Sequence, residues 1–332
     1  PMGGGQIVKL GYDEGAVGQI VVRGSGTIFT GLNSIYIGCN STPGSKLIIS
    51  NGARVSSAGS VYVGYGRWWD GFLGNGGECA VWGPGSELDL YNLSVAYAGG
   101  GPENNGHSSS LIVSNGGHVT VSNWIEFAGN TNSIVVWGAG SEIVCGNFLN
   151  ICADGGHSSS LIVSNGGHVT VSNFIECGGS TNSIVVWGAG SKIVFNNSLT
   201  FGEDGENNVL VITNGGQVIQ QQGSWFYFGA TGTNHLWLVG GTGSLYSNRH
   251  HNIIVSGLGS RLLIYDEGTV DCSGGTLSGT SNLVAIWNPG SLWRSANPTN
   301  ILGFGVEGLG NTLLVSNGGC LFSGNGGTVA GT

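Results

Sequence analysis

The side chains in this chain that could do chemistry are a few carboxylates, histidines, cysteines and tryptophans. Glu126 and Glu176 stand at equivalent positions fifty residues apart, with Asn150 at the related place midway. Paired carboxylates serve the hydrolysis or lysis of polysaccharides, usually beside a basic residue or calcium. The intervening Asn breaks that pairing, and outward-facing strand positions explain both glutamates. Glu203, Asp204 and Glu206 form an acidic loop of oxygen ligands that calcium could use. The regular Asp-rich nonapeptide of calcium-binding β-rolls is missing, so a solvated loop is expected. His107 and His157, like His118 and His168, recur at the same offset without a Cys or carboxylate at ligand spacing. The seven cysteines contain no CxxC. Cys145, Cys177 and Cys272 align with Phe195, Phe127 and Val121, which predicts small buried apolar residues. Cys320 takes the place of His118 and is expected to face outward. No catalytic residue, cofactor or metal ligand is therefore assigned.

The tryptophans carry more information. Trp82, Trp137, Trp187 and Trp287 each precede a Gly-rich turn, at a place held elsewhere by Ser114, Ser164 or Thr213. If Val113 and Val136 face inward, strand alternation turns these indoles outward. Trp137 and Trp187 would lie two strand spacings apart, roughly 9–10 Å. Such aromatics can stack on the sugar rings of a polysaccharide or pack against another protein. Arg67, Trp68, Trp69 and Asp70 interrupt the repeat and are expected to form a lateral contact. Thr120 and Thr170 recur without the T-x-T array of a flat ice-binding face.

The elements that must position these residues come from the repeat itself. Residues 107–126 and 157–176 are identical at nineteen of twenty positions, and TNSIVVWGAGS at 131–141 returns unchanged at 181–191. The fifty-residue block splits into related halves, LIVSNGGHVTVSNWIEFAG and SIVVWGAGSEIVCGNFLNICADG. Each half has a short apolar strand, a Gly-rich turn, a second strand, a break and a third strand. The first strand and turn recur at Leu47, Ala80, Leu210, Ile253, Leu283 and Leu313. The third strand recurs at 34–38, 60–64, 198–202, 225–229 and 301–305. Alternation has period two, and Asn-Gly or Gly-Gly turns punctuate every unit. Units of this size bury their apolar side only by stacking. The expected fold is all-β, a single right-handed parallel β-helix of about twelve three-strand coils over 1–332, with loop insertions near 64–78 and 99–109. A β-propeller is the rival for repeated short strands, but its blades are longer and antiparallel.

Composition narrows the function. Glycine is 66 of 332 residues, about three times the usual share, and charged residues are 8% against about 25% in ordinary domains. Nine basic residues and a net charge of −9 exclude a general nucleic-acid binder. No apolar run approaches the length of a membrane helix.

The units LIISNGARV, LIVSNGGHV and LLVSNGG, followed by SIYIG or SVYVG, resemble the β-helical repeats of bacterial autotransporter passengers. The resemblance covers nearly the whole chain. It implies a secreted or surface-exposed repeat protein, extracellular or on the cell surface. The outer-membrane β-barrel of a complete autotransporter is absent from this sequence.

Two readings of function follow. Ile7, Val8 and Leu10 read as a third strand, while Leu313, Leu314, Val315, Leu321 and Phe322 read as a first and second strand. The chain thus looks cut in mid-coil, and the leading expectation is a non-enzymatic structural protein stacking on itself, head to tail, into a β-helical filament. The alternative is a cell-surface adhesin that binds polysaccharide through its exposed tryptophans. A polysaccharide lyase or hydrolase comes third.

Overall fold

The chain folds as a parallel β-helix of about 11 turns, close to the twelve expected. The computed structural model describes residues 6–13, 15–38, 42–65, 74–96, 107–153, 156–223, 226–295, 304–324 and 327–330. Most of the two expected insertions, residues 66–73 and 97–106, lies outside them. The described residues are strands and turns, without a helix. They divide into two compact units, Pro1–Ile162 with Gly166–Val171, and Val163–Asn165 with Ser172–Thr332.

One coil of the first unit shows why the sequence folds this way. Its strands are Ser110–Ser114, His118–Val121 and Ile125–Ala128. Asn115 and Gly116 both take positive φ, 50° and 83°, giving a tight left-handed turn that Gly enters freely and Asn tolerates. In the following coil the same turn is Gly138-Ala139-Gly140-Ser141. There the Ser141 hydroxyl donates to the Trp137 carbonyl at 2.8 Å and accepts from the Gly116 N–H at 3.1 Å. One serine thus closes its own turn and ties it to the previous one.

First strands pair in parallel, residue for residue. In unit 1, Lys46–Ser50, Glu78–Trp82, Ser110–Ser114 and Ser133–Trp137 follow one another in register. In unit 2 the run is Ser183–Trp187, Val209–Thr213, Leu236–Gly240, Arg261–Tyr265, Leu283–Trp287 and Thr312–Ser316. Second and third strands make the other wall. They are separate in the middle coils and run on without a break in Ile28–Ile37, Arg54–Val63, Glu87–Val95, Leu245–Val255 and Thr269–Leu277.

Alternation sends every second residue inward. Cys79, Leu111 and Ile134 form one column, and Val81, Val113 and Val136 the next, all almost fully buried. Each such aliphatic side chain contributes about 1.5–3 kcal/mol by leaving water. At the corner before each first strand the backbone ladder turns, and a buried polar side chain completes it. In unit 1 the Ser109 N–H donates to Asn132 Oδ1 at 3.0 Å, and the Asn132 N–H donates to Ser159 Oγ at 3.1 Å. In unit 2 Asn182, Asn208, Asn282 and Asn311 do the same work, with His235 between them.

Two sequence expectations change. Ile253 does not begin a first strand: Ile253–Val255 pairs with Phe226–Phe228 as a third strand. The next first strand is Arg261–Tyr265, which pairs with Leu236–Gly240 of this coil. An aliphatic run before a glycine fits either strand, so the pattern alone could not separate them. The chain also does not stop after a second strand. Cys320–Ser323 is followed by Gly327–Ala330, which returns antiparallel along its edge.

Candidate functional site

The feature that stands apart is the outward face of the first-strand wall. The third residue of each first strand points away from the core, and it is aliphatic in coil after coil. Unit 1 has Val21, Ile48, Ala80, Ile112 and Val135; unit 2 has Val185, Val211, Leu238, Leu263, Ala285 and Leu314. Val21 and Leu314, on the first and last of these strands, are 48% and 47% exposed, Ala80 and Ala285 are buried, and the others are half-buried. A parallel strand covered on both faces reads as an unbroken apolar run, whereas a half-solvated one alternates. SLIVS and SIVVW are unbroken runs, and that was the sequence signal for this face.

Beside the aliphatic row runs a column of fifth residues. In unit 1 it reads Arg23, Ser50, Trp82, Ser114, Trp137. Trp82 and Trp137 are each 39% exposed, as is Trp187 in unit 2, so these indoles face outward as alternation required. The small residues also face outward, yet Ser50, Ser114 and Ser164 are buried. Thr213, by contrast, is followed by Gly240 and is only half-buried. The difference is the neighbour: a small residue is covered when the next coil supplies an aromatic. Gly240 shows the geometry directly, since a Cβ placed there would fall 2.4 Å from the Tyr265 ring. Tyr265 therefore leans back over Gly240. Trp287 then stacks on Tyr265, with ring centroids 5.4 Å apart and planes at 13°. Each aromatic needs either a small residue beneath it or another ring to stack on. Trp68 and Trp69 lie outside the described residues.

The residues expected to join molecules end to end fall in different units. Ile7, Val8 and Leu10 pair with Ser34, Ile35 and Ile37 as a third strand, and Ile7 stays 53% exposed. Leu313 and Val315 point inward but are only half-buried, while Leu314 and Phe322 are exposed and Leu321 is buried. Gly327–Ala330 pairs antiparallel with Cys320–Ser323.

Titratable groups form structural pairs. His118 does have carboxylate neighbours, contrary to the sequence expectation. It sits in register between Glu87 and Glu142, with Nδ1 3.6 Å from Glu142 Oε2, and Glu142 pairs onward with His168. The partners went unseen because they lie one coil away and do not recur at fifty residues. Glu126 faces Asn150 in register. Burial pushes the Glu176 carboxyl up, and the nearby charges of Glu203 and Asp204 push it further. Among the described residues no group of three His, Cys, Asp or Glu is placed to hold a metal ion.

The cysteines behave as core. Cys79, Cys145, Cys152, Cys177 and Cys272 are buried thiols outside any disulfide; Cys320 is partly exposed, and Cys39 lies outside the described residues. Burial raises the Cys79 and Cys272 thiols to about 12, far from a reactive thiolate. His235 is fully buried as well. Its Nδ1 accepts the Asn208 N–H at 3.2 Å, and desolvation lowers its pKa to about 4. Its ring occupies the space that side chains at Gly202 and Gly232 would need. Asp271, buried in the other wall, accepts from Arg249 Nε at 2.7 Å and Arg294 Nη2 at 2.6 Å.

No family model matches the sequence, and no curated protein matches it. Among solved structures, a match is found to the crystal structure of a TibC-catalyzed hyper-glycosylated TibA fragment. It is 15% identical, covers 96% of this chain and 98% of that one, and has a TM-score of 0.37. At that level the similarity carries no argument about what this chain binds or does.

Proposed function

We propose that this chain is an extracellular, non-catalytic structural protein whose copies pack side by side through the outward face of the first-strand wall. The observation that carries the reading is the aliphatic third residue in strand after strand, flanked by outward indoles. Each unit presents five or six such strands. At ~4.8 Å spacing and ~16 Å length these give roughly 450 Å² of footprint per unit. The apolar part is a stripe within that area, because the unit 1 strands begin on the polar Lys46, Glu78, Ser110 and Ser133, and Ala80 and Ala285 are buried. Few charges oppose the contact: Lys46 is already paired with Glu78 at 2.9 Å. Indole ridges alternating with covered serines give the face a relief that a second copy can complement. The proposed contact lies on the flank of the helix, whereas the sequence reading favoured the end strands.

The second reading, an adhesin holding polysaccharide on the same indoles, is favoured by Trp82 and Trp137 standing on either side of Ser114. One experiment separates the two. Val135→Asn with Val185→Asn changes outward positions and leaves the inward columns intact. Sedimentation velocity should show concentration-dependent association of the parent chain and its loss in the double variant, with unchanged circular dichroism. A parent chain that stays monomeric at high concentration, or a double variant that associates equally well, removes the structural reading. Indole fluorescence that responds to a glycan, and not to protein concentration, moves the assignment to the adhesin.

A further inference from the structure

A second surface, in unit 2, has a different chemistry. It lies at the corner between second and third strands, where side-chain amides stack from coil to coil. Asn197 Nδ2 donates to Asn173 Oδ1 at 3.1 Å, and Asn196 Nδ2 donates to the Ser172 carbonyl at 3.1 Å. The Gln222 N–H donates to the Asn196 carbonyl at 2.8 Å, so Gln222 takes the position of Asn197 in the next coil. There the corner lengthens: seven positions separate Lys192 from Leu199, but nine separate Gln217 from Phe226. The amide row is interrupted, and two clefts of about 290 and 550 Å³ open on either side of Gln222. The smaller is lined by Ser172, Asn196, Asn197 and Gln222. The larger adds an aliphatic wall at Leu245 and a cation, Arg249.

Arg249 is held in place. Its Nε is bound to the fully buried Asp271, which Arg294 also grips, while the side chain remains 61% exposed. The guanidinium therefore keeps N–H donors for a ligand without leaving its anchor. Among the described residues, the hydrogen bonds of the corner leave a side-chain carbonyl on Asn196 and Asn197 and the whole amide of Gln222 for a ligand. Amides that both donate and accept match vicinal sugar hydroxyls, and an aliphatic wall matches the C–H face of a pyranose ring. The step from coil to coil, ~4.8 Å, is close to the length of one sugar residue.

We propose that this double cleft binds a short stretch of saccharide bearing a carboxylate. Asn196, Asn197 and Gln222 hold its hydroxyls, and Arg249 holds its acid group. The site is separate from the flank proposed for self-association, so each stands or falls by its own variants. The test is isothermal titration calorimetry of the full chain with a uronic-acid oligosaccharide and with a neutral oligoglucan. The parent chain should bind the acidic sugar preferentially. Gln222→Ala, an exposed change, should weaken binding of the acidic sugar at least tenfold. Arg249→Gln should abolish the preference for the acidic sugar, and Asp271 keeps Arg294 as its partner in that variant. No binding of the acidic sugar by the parent, equal affinity for the neutral one, or binding unchanged in both variants overturns the proposal.

Discussion

The cores of the two units are built on different plans. In unit 1 Phe127 buries a ring in the other wall, but the inward columns around Leu111, Val113, Ile134 and Val136 are aliphatic apart from the small Cys79. One branched side chain replaces another there, and a coil could exchange neighbours with its twin at little cost. In unit 2 the coils from Phe226 to Trp293 bury large rings. Trp237 lies 4.8 Å from both Phe226 and Tyr246, and Phe201 stacks on Phe228 at 5.5 Å. Those rings fit only one set of neighbours. Repetition yields stability cheaply but leaves register ambiguous, because near-identical coils offer near-identical partners. The aromatic core, with His235 in its glycine cradle, removes that ambiguity in unit 2.

The contrast can be tested from its strongest consequence downward. Trp237→Ala should cost about 3–5 kcal/mol, since its neighbours are rings that cannot collapse into the cavity. Urea denaturation followed by circular dichroism measures this, and a loss below about 1 kcal/mol would show that the aromatic core is no more specific than the aliphatic one.

Acid should act next. The His235 pKa is lowered in the fold to about 4, from about 6.5 when unfolded. The unfolded chain therefore binds the proton first as pH falls. The stability His235 contributes is full above pH ~6.5, declines through the window down to pH ~4, and is then level. At about 1.4 kcal/mol per unit, the loss approaches about 3 kcal/mol. His235→Asn restores the residue found at 182, 208 and 282. Melts at pH 7 and at pH 4.5 should show a smaller acid loss in that variant than in the parent. The smallest effect belongs to unit 1: Ile134→Val should cost only about 1 kcal/mol. A cost as large as that of Trp237→Ala would erase the distinction between the two plans.

Much of this architecture could be read from the residues alone. Period-two alternation, Asn-Gly turns and the fifty-residue echo point to stacked three-strand coils, and the indoles before the turns face outward as alternation required. What stayed hidden depends on neighbours one coil away. His118 and Glu142 are twenty-four residues apart and meet only through strand register. Asp271 meets Arg249 and Arg294 in the same way. The outward aliphatic row was visible in SLIVS and SIVVW, but a run of three apolar residues does not say which face lacks cover. Ile253 was misplaced because first and third strands share one composition. The amide clefts adjoin a corner two residues longer in sequence than its neighbour, a difference too small to register against the repeat.

The covering of each small residue by the next aromatic sets the step in which such a chain can lengthen or shorten. Loss or gain of one coil by unequal exchange would set indole against indole and leave a serine bare, whereas exchange of two coils restores every contact. The near-perfect echo of 107–126 in 157–176 is a copy of that permitted size. Tyr265 against Trp287 shows what an odd step requires: two rings forced into adjacency, reconciled by stacking and by a glycine beneath.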